Sequence, residues 1–382
     1  MQQIVLALIL VSIVTTTQIA SSAVAAAESP PTPIECPKNV SFGTQCLSGR
    51  DSAGAYYLIA MPEHWNHILV LHAHGGPALG APRLERSKED LQRWAVVVRA
   101  GYAWAGSTFR QGGVAVRSAA EDMERLRRIF VEHVAKPERT ILHGQSWGAS
   151  VAAKAAEIFT QTDEGKRPYD GVMLTSGVLG GGTRSYDFRL DLRVIYQTLC
   201  NNHPLPTEPA YPLWMGLPAH ADLTAKQLAD RANACLGLGI PPAQRSAEQS
   251  RKIQTIVGVL QIPESAIQGH LNWATFHFRD IAQHRTAGKN VFGNVGAIYR
   301  GSNDDATLNA TVLRYSVDPS DVLAFSEDTD LNDKILVPVI TVHGVHDPIA
   351  FVELEHSFAQ TMQRSGSSER LVQTFTDDGT HH

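Results

Sequence analysis

The chain sets a serine between two glycines in Gly144-Gln145-Ser146-Trp147-Gly148, directly after the apolar run Thr140-Ile141-Leu142-His143. Gly-x-Ser-x-Gly carries chemistry only where a strand turns sharply into a helix, because the serine must be held in a strained conformation and small flanking residues must let strand and helix approach closely. That context is expected here, with a strand pattern before the motif and a helix pattern starting near Gly148. A serine hydroxyl is a poor nucleophile without a base, and the base needs a carboxylate to orient it. Asp347 is the candidate carboxylate, in the turn His343-Gly344-Val345-His346-Asp347-Pro348 at the end of a late apolar strand. His381 is the preferred base and His382 its alternative, both in the turn after the last strand. Asp377 and Asp378 are rival carboxylates that read as solvated turn residues, since they lie too near the histidine to form a separate orienting loop. The order Ser146, Asp347, His381 supplies nucleophile, orienter and base for acyl transfer.

A tetrahedral intermediate also needs hydrogen-bond donors aimed at its oxygen. One is expected from the backbone N–H of Trp147. The other is expected from Gly75 or Gly76 in His74-Gly75-Gly76-Pro77, with His74 bracing that loop. His72, His74, His343 and His346 all fall near strand ends, but no His-x-x-x-His or His-Glu-x-x-His pattern accompanies them, so neither a metal nor another cofactor is expected. Gly180-Gly181-Gly182 lacks the lysine of a phosphate loop and reads as a flexible lead into the next segment. Arg110 has two readings, a pocket cation or a structural ion pair. The bulky clusters Tyr211–Leu217 and Asn272–Phe276 are candidate pocket linings as well as packing residues.

These residues need elements to hold them. Strands are predicted at 55–61, 67–72, 102–105, 140–143, 171–175, 335–343 and 370–375. Helices are predicted at 87–100, 119–134, from about 148, and at 352–364. Strand–helix alternation of this kind specifies a mostly parallel sheet covered on both faces. Between about 180 and 330 the alternation stops and amphipathic helices take over, among them 186–198 and 224–234. The second carries Thr224 as N-cap, Gln227 in the capping-box position and Gly237 as its stop. The expected division is a signal segment at 1–27, an N-terminal extension at 28–49, a core at 50–180 and 333–382, and a helical lid insertion at 181–332.

With 382 residues, 43% hydrophobic and 19% charged, the chain has ample material for a buried core. Its 33 Lys and Arg against 38 Asp and Glu leave a net charge of -5 with no long basic run, which sets aside a nucleic-acid partner. The first 27 residues hold no charged side chain; an apolar run there ends in Ala-x-Ala, the pattern of an export signal rather than a stable membrane span. Secretion or a periplasmic location is therefore expected, and four cysteines can then pair. Cys36 with Cys46 and Cys200 with Cys235 close the shortest loops and are the expected bridges.

At this point the chain resembles the α/β-hydrolase superfamily, through His74-Gly75-Gly76, Gly144-Gln145-Ser146-Trp147-Gly148, and the late Asp347 with His381. The resemblance implies a serine hydrolase, first of all an esterase acting on a small or polymeric carboxylic ester. His-Gly-Gly-Pro and Gly-x-Ser-Trp-Gly are also similar to the proline-iminopeptidase and tripeptidyl-aminopeptidase branch, which makes a secreted aminopeptidase the alternative. Ala78 and Ala149 depart from that branch, where further glycines are the rule. The resemblance further implies a covering helix beyond His382, so the natural chain is expected to continue. Oligomeric state is left open.

Overall fold

The computed structural model describes residues 27–381, so the expected signal segment, save its last residue, and His382 lie outside the described residues. Nine strands form one sheet: β1 (Thr32–Ile34), β2 (Gln45–Arg50), β3 (Tyr56–Met61), β4 (Ile68–Ala73), β5 (Ala103–Ser107), β6 (Arg139–Gln145), β7 (Gly171–Thr175), β8 (Val339–Gly344) and β9 (Leu371–Thr376). Their spatial order is β1-β2-β3-β5-β4-β6-β7-β8-β9. The pairs from β1 to β5 through β3 are antiparallel, and the pairs from β5 through β4 to β9 are parallel. The segment read from the sequence as an N-terminal extension thus supplies the antiparallel edge of the main sheet. Cys36–Cys46 ties that edge together with Cα atoms 5.2 Å apart.

Helices α1 (Leu84–Arg93) and α2 (Ala95–Arg99) lead into β5, α3 (Val116–His133) into β6, and α4 (Trp147–Ile158) into β7. The single helix expected at 87–100 therefore starts earlier and breaks at Trp94, whose indole packs against His72 and His143 on the sheet. An insertion follows: α5 (Gly181–Ser185), α6 (Phe188–Cys200), α7 (Ala225–Leu236), α8 (Ala247–Leu260), α9 (Ile267–Asp280), α10 (Asp305–Thr311) and α11 (Pro319–Thr329). Thr224 and Gln227 form the expected capping box, Gly237 ends α7 at φ 69°, and Cys200–Cys235 joins the end of α6 to α7. After β8, α12 (Glu353–Arg364) crosses to β9. β8 is shorter than the apolar run at 335–343 suggests. Pro338 has no N–H for the ladder, so pairing starts at Val339, while Ile335 and Val337 are buried outside the sheet.

One hydrophobic core runs without interruption from Leu71, Leu142 and Val151 in the sheet layers to Leu190, Ile195, Phe278 and Phe292 in the insertion. No helix among the described residues is long and apolar enough to cross a membrane. The architecture is a mixed, mostly parallel sheet flanked by helices with an inserted helical region, an α/β-hydrolase-like fold with a lid. In such a sheet, side chains gather outside the carboxyl ends of the strands where the order reverses, here between β5 and β6 across β4.

Candidate active site

Ser146 sits in the one-residue turn between β6 and α4 at φ 57° and ψ −124°. A non-glycine residue there carries strain on the order of 1–3 kcal/mol and persists only where its surroundings enforce it. Here they do: Ser146 N–H donates to the Thr175 carbonyl at 2.9 Å, and its own carbonyl accepts from Ala149 and Val178 N–H at 3.0 and 3.1 Å. The flanking glycines are sterically required. A Cβ on Gly144 would strike the Gly148 backbone, and one on Gly148 would strike the Ala73 carbonyl at the end of β4.

His381 Nε2 lies 2.7 Å from Ser146 Oγ, and His381 Nδ1 lies 2.8 Å from Asp347 Oδ2. With the proton on Nδ1 donated to Asp347, Nε2 is left to accept the serine hydroxyl. The other oxygen of Asp347, Oδ1, accepts the N–H groups of Ile349 and Ala350 at 2.9 and 3.0 Å. Burial pushes the Asp347 carboxyl upward; the hydrogen bond and charge of His381, with those two N–H groups, outweigh it and hold the group below the ordinary aspartate range. The turn carrying Asp347 is itself braced. His343 Nε2–H donates to the Ala350 carbonyl at 2.7 Å, and its Nδ1 lies 3.1 Å from buried Glu355 of α12, which also accepts from Thr341 and Gln373.

Gly75 and Gly76 line the same cavity as Ser146, Trp147 and His381, on the side where β4 ends. His74, fully buried, is held down to about 4 by burial and by the nearby Arg86 charge, so its ring is neutral and packs between Phe109 and Trp147. Arg86 Nη2 donates to the Gly75 carbonyl at 2.8 Å and pairs with Asp90 at 3.3 Å, anchoring the glycine loop to α1. The cavity, of about 280 Å³, is closed from the insertion side by Ser185, Tyr186, Arg189 and Trp273.

The other sequence candidates fall elsewhere. Arg110 is a structural ion pair: its Nε donates to Asp122 at 2.8 Å and its Nη2 to Glu121 at 2.5 Å, tying the loop after β5 to α3. His72 and His143 face one another at 3.0 Å in a buried pair, both pushed down by burial, while His346 meets Asp377 at 3.1 Å on the surface; the four histidines named from the sequence do not converge on one point. Among the described residues no group of three or more His, Cys, Asp or Glu is arranged to hold a metal ion. Asp378 accepts from Thr380 at 2.8 Å and shapes the turn before His381. Gly180-Gly181-Gly182 leads into α5, where Thr183 N–H and hydroxyl both donate to Asp330 at the end of α11. Trp273 reaches the cavity, but Tyr211 and Leu217 line a separate depression with His203 and Arg231. Sequence reasoning missed Arg86, Arg189, Val178 and Ile349 as lining residues. Nothing in the spacing separates Arg189 from Arg184 or Arg193 nearby; only the packing of α6 does.

No family model matches the chain. One characterised relative, an o-phthalyl amidase of Xanthobacter agilis, is 29% identical over 117 residues, a match spanning 29% of this chain and 24% of the amidase. Among solved structures, the rice cell wall degrading esterase LipA of Xanthomonas oryzae aligns over 88% of this chain and 83% of its own, with 14% identity and a TM-score of 0.41. Esterase B of Lactobacillus rhamnosis aligns over 90% of this chain and 80% of its own, with 11% identity and a TM-score of 0.42. A putative hydrolase of Agrobacterium vitis S4 aligns over 88% and 91%, with 14% identity and a TM-score of 0.39. Each is a distant likeness, and the chemistry of the site rests on the geometry of Ser146, His381 and Asp347.

Proposed function

We propose that the protein is a serine hydrolase that cleaves carboxylic esters through an acyl-enzyme. The observation that carries this reading is the continuous chain from Ser146 Oγ to His381 Nε2 at 2.7 Å and from His381 Nδ1 to Asp347 Oδ2 at 2.8 Å, built on a serine held at φ 57°. Ser146 attacks the ester carbonyl as His381 takes its proton, and the resulting oxyanion is met by the N–H groups of Trp147 and of Gly75 or Gly76. His381 then protonates the departing alcohol. Water, activated by the same imidazole, releases the acid from Ser146 and returns the proton to the serine.

The same residues would cleave amides, and the amidase match keeps amides in the test set. An aminopeptidase must also capture a free ammonium group. The cavity is lined by Arg86, Arg93 and Arg189 and by no aspartate or glutamate, which favours the ester reading over that one. The two disulfides fit an exported protein, since such bonds persist in oxidising compartments. The deciding experiment is a panel of p-nitrophenyl esters and aminoacyl-arylamides, run beside a fluorophosphonate probe whose attachment site is mapped by mass spectrometry. Ester turnover with the label on Ser146 is expected. Labelling elsewhere, or arylamide turnover without ester turnover, refutes the ester reading.

A further inference from the structure

Arg189, at the start of α6, is 4% exposed and lines the cavity that holds Ser146 and His381. Its guanidinium is held by aromatic faces, 4.5 Å from the ring centroids of both Phe188 and Trp273 and 5.6 Å from that of Tyr186. A guanidinium has five N–H donors in a planar fork. Nη1 donates to the Ser185 carbonyl at 3.0 Å, whereas Nε is buried with no hydrogen-bond partner among the described residues. No carboxylate among them pairs with it, whereas buried Lys154 meets Glu157 and half-buried Arg127 meets Glu124; the other buried arginine, Arg193, donates instead to the His203 carbonyl and the Tyr211 hydroxyl and stands outside this cavity. Burial draws its pKa down to about 10, with Tyr186 and Asp187 acting the other way, so the group is still cationic at neutral pH.

Burying a cation without an acid is costly, and ring faces recover only part of that cost. The remaining donors therefore favour an anion brought in from outside. Arg86 and Arg93 stand in the same lining, which holds no Asp or Glu among the described residues, although Arg86 is itself paired with Asp90 behind it. We propose that Arg189 is a specificity residue that binds a carboxylate carried by the substrate, so that the preferred substrates are half-esters of dicarboxylic acids or esters of comparable charge. A carboxylate fits better than a phosphate: it is planar and singly charged, and it matches one guanidinium fork edge to edge. The proposal rests on the acyl-transfer reading of Ser146. The lid then selects the substrate while the sheet performs the reaction.

The test compares mono(4-nitrophenyl) glutarate with its analogue bearing a terminal carboxamide in place of the carboxylate. The wild-type protein should favour the charged ester in kcat/KM by about tenfold to a hundredfold, the range of one charge-assisted hydrogen-bond pair. In Arg189→Gln that ratio should fall to near one. Should Arg189→Gln fail to fold, Arg189→Lys, which keeps the charge but loses the fork, should still lower the ratio several-fold. Equal rates for the two esters in the wild type, or a ratio unaltered by the variants, overturns the proposal while leaving ester hydrolysis intact. Binding is read separately, by calorimetry on Ser146→Ala with glutarate, glutaramide and inorganic phosphate, which requires no turnover. Glutarate should bind at least tenfold more tightly than glutaramide and lose that margin when Arg189→Gln is added; this result stands even if no ester is cleaved. Equal binding of glutarate and glutaramide, or tighter binding of phosphate than of glutarate, refutes the carboxylate assignment.

Discussion

Ser146 is the atom-bearing centre of the proposed reaction, and the strain on it is held by three backbone hydrogen bonds that do not involve its hydroxyl. Ser146→Ala should therefore fold as the wild type does, with a melting temperature within a few degrees, yet lose turnover by about a thousandfold or more. Retention of a tenth of wild-type activity in a preparation free of contaminating esterase refutes the assignment. At Asp347 the two carboxylate oxygens have separate tasks. Oδ1 holds the turn through Ile349 and Ala350, while Oδ2 faces His381. Asparagine keeps an acceptor for the turn but sets an N–H₂ against Nδ1, which favours the wrong imidazole tautomer. Asp347→Asn should cost roughly a thousandfold in turnover. Asp377→Asn and Asp378→Asn should cost no more than several-fold, since these carboxylates meet His346 and Thr380 and not the ring of His381. The reverse ranking in steady-state kinetics means that the wrong carboxylate has been assigned.

Two elements hold the Gly75 loop and the lid, and each has its own test. Asp90 on α1 is 5% exposed, and burial pushes its carboxyl up to about 7 although Arg86 draws it down. An aspartate in the unfolded chain titrates near ~3.9, so between these values the folded protein binds the extra proton. The contribution of Asp90 to stability is therefore fully present below about 3.9 and is lost as pH rises through about 7. Asp90→Asn, neutral throughout, should gain stability relative to the wild type on going from about pH 5 to about pH 8. Urea midpoints at the two pH values check this, and a wild-type-to-variant difference that does not move refutes it. In the lid, Cys200–Cys235 closes 35 residues between α6 and α7. Removing it as Cys200→Ala with Cys235→Ala should lower the unfolding free energy by about 3–4 kcal/mol on the chain-entropy account, against about 3 kcal/mol for the ten-residue Cys36–Cys46 loop. Arg189 leaves from the other end of the same helix. Loss of the bridge should for that reason weaken discrimination between charged and neutral esters more than the hydrolysis of small neutral ones.

At the scale of the whole molecule, the sheet is covered unevenly. α12 lies over one face of β8 and β9, where Glu355 bonds Thr341, His343 and Gln373. On the opposite face Met173, Ile340 and Val372 stand in register across β7, β8 and β9 and are 38%, 39% and 57% exposed. Such a row should bind a hydrophobic dye and promote association. Ile340→Thr with Val372→Thr should lower anilinonaphthalene sulfonate fluorescence at least twofold without loss of turnover; unchanged fluorescence shows that the dye reports another surface. Motif and periodicity determined the sharp strand-to-helix turn at Ser146, the class of the fold and the capping box of α7, because each depends on residues adjacent in sequence or repeating at a fixed interval. The disulfide partners were also legible, since short loops favour those pairings. The break at Trp94 and the late start of β8 were not visible in this way, being set by ring packing on the sheet and by one missing proline N–H. The separation of Arg110 from the cavity and the arrival of Arg189 within it were decided by tertiary structure alone. Sequence spacing records which side chains a helix offers, whereas the partner each one meets depends on how α3, α6 and α9 are packed, as Arg110 meets Asp122 on α3 and Arg189 of α6 meets Trp273 on α9.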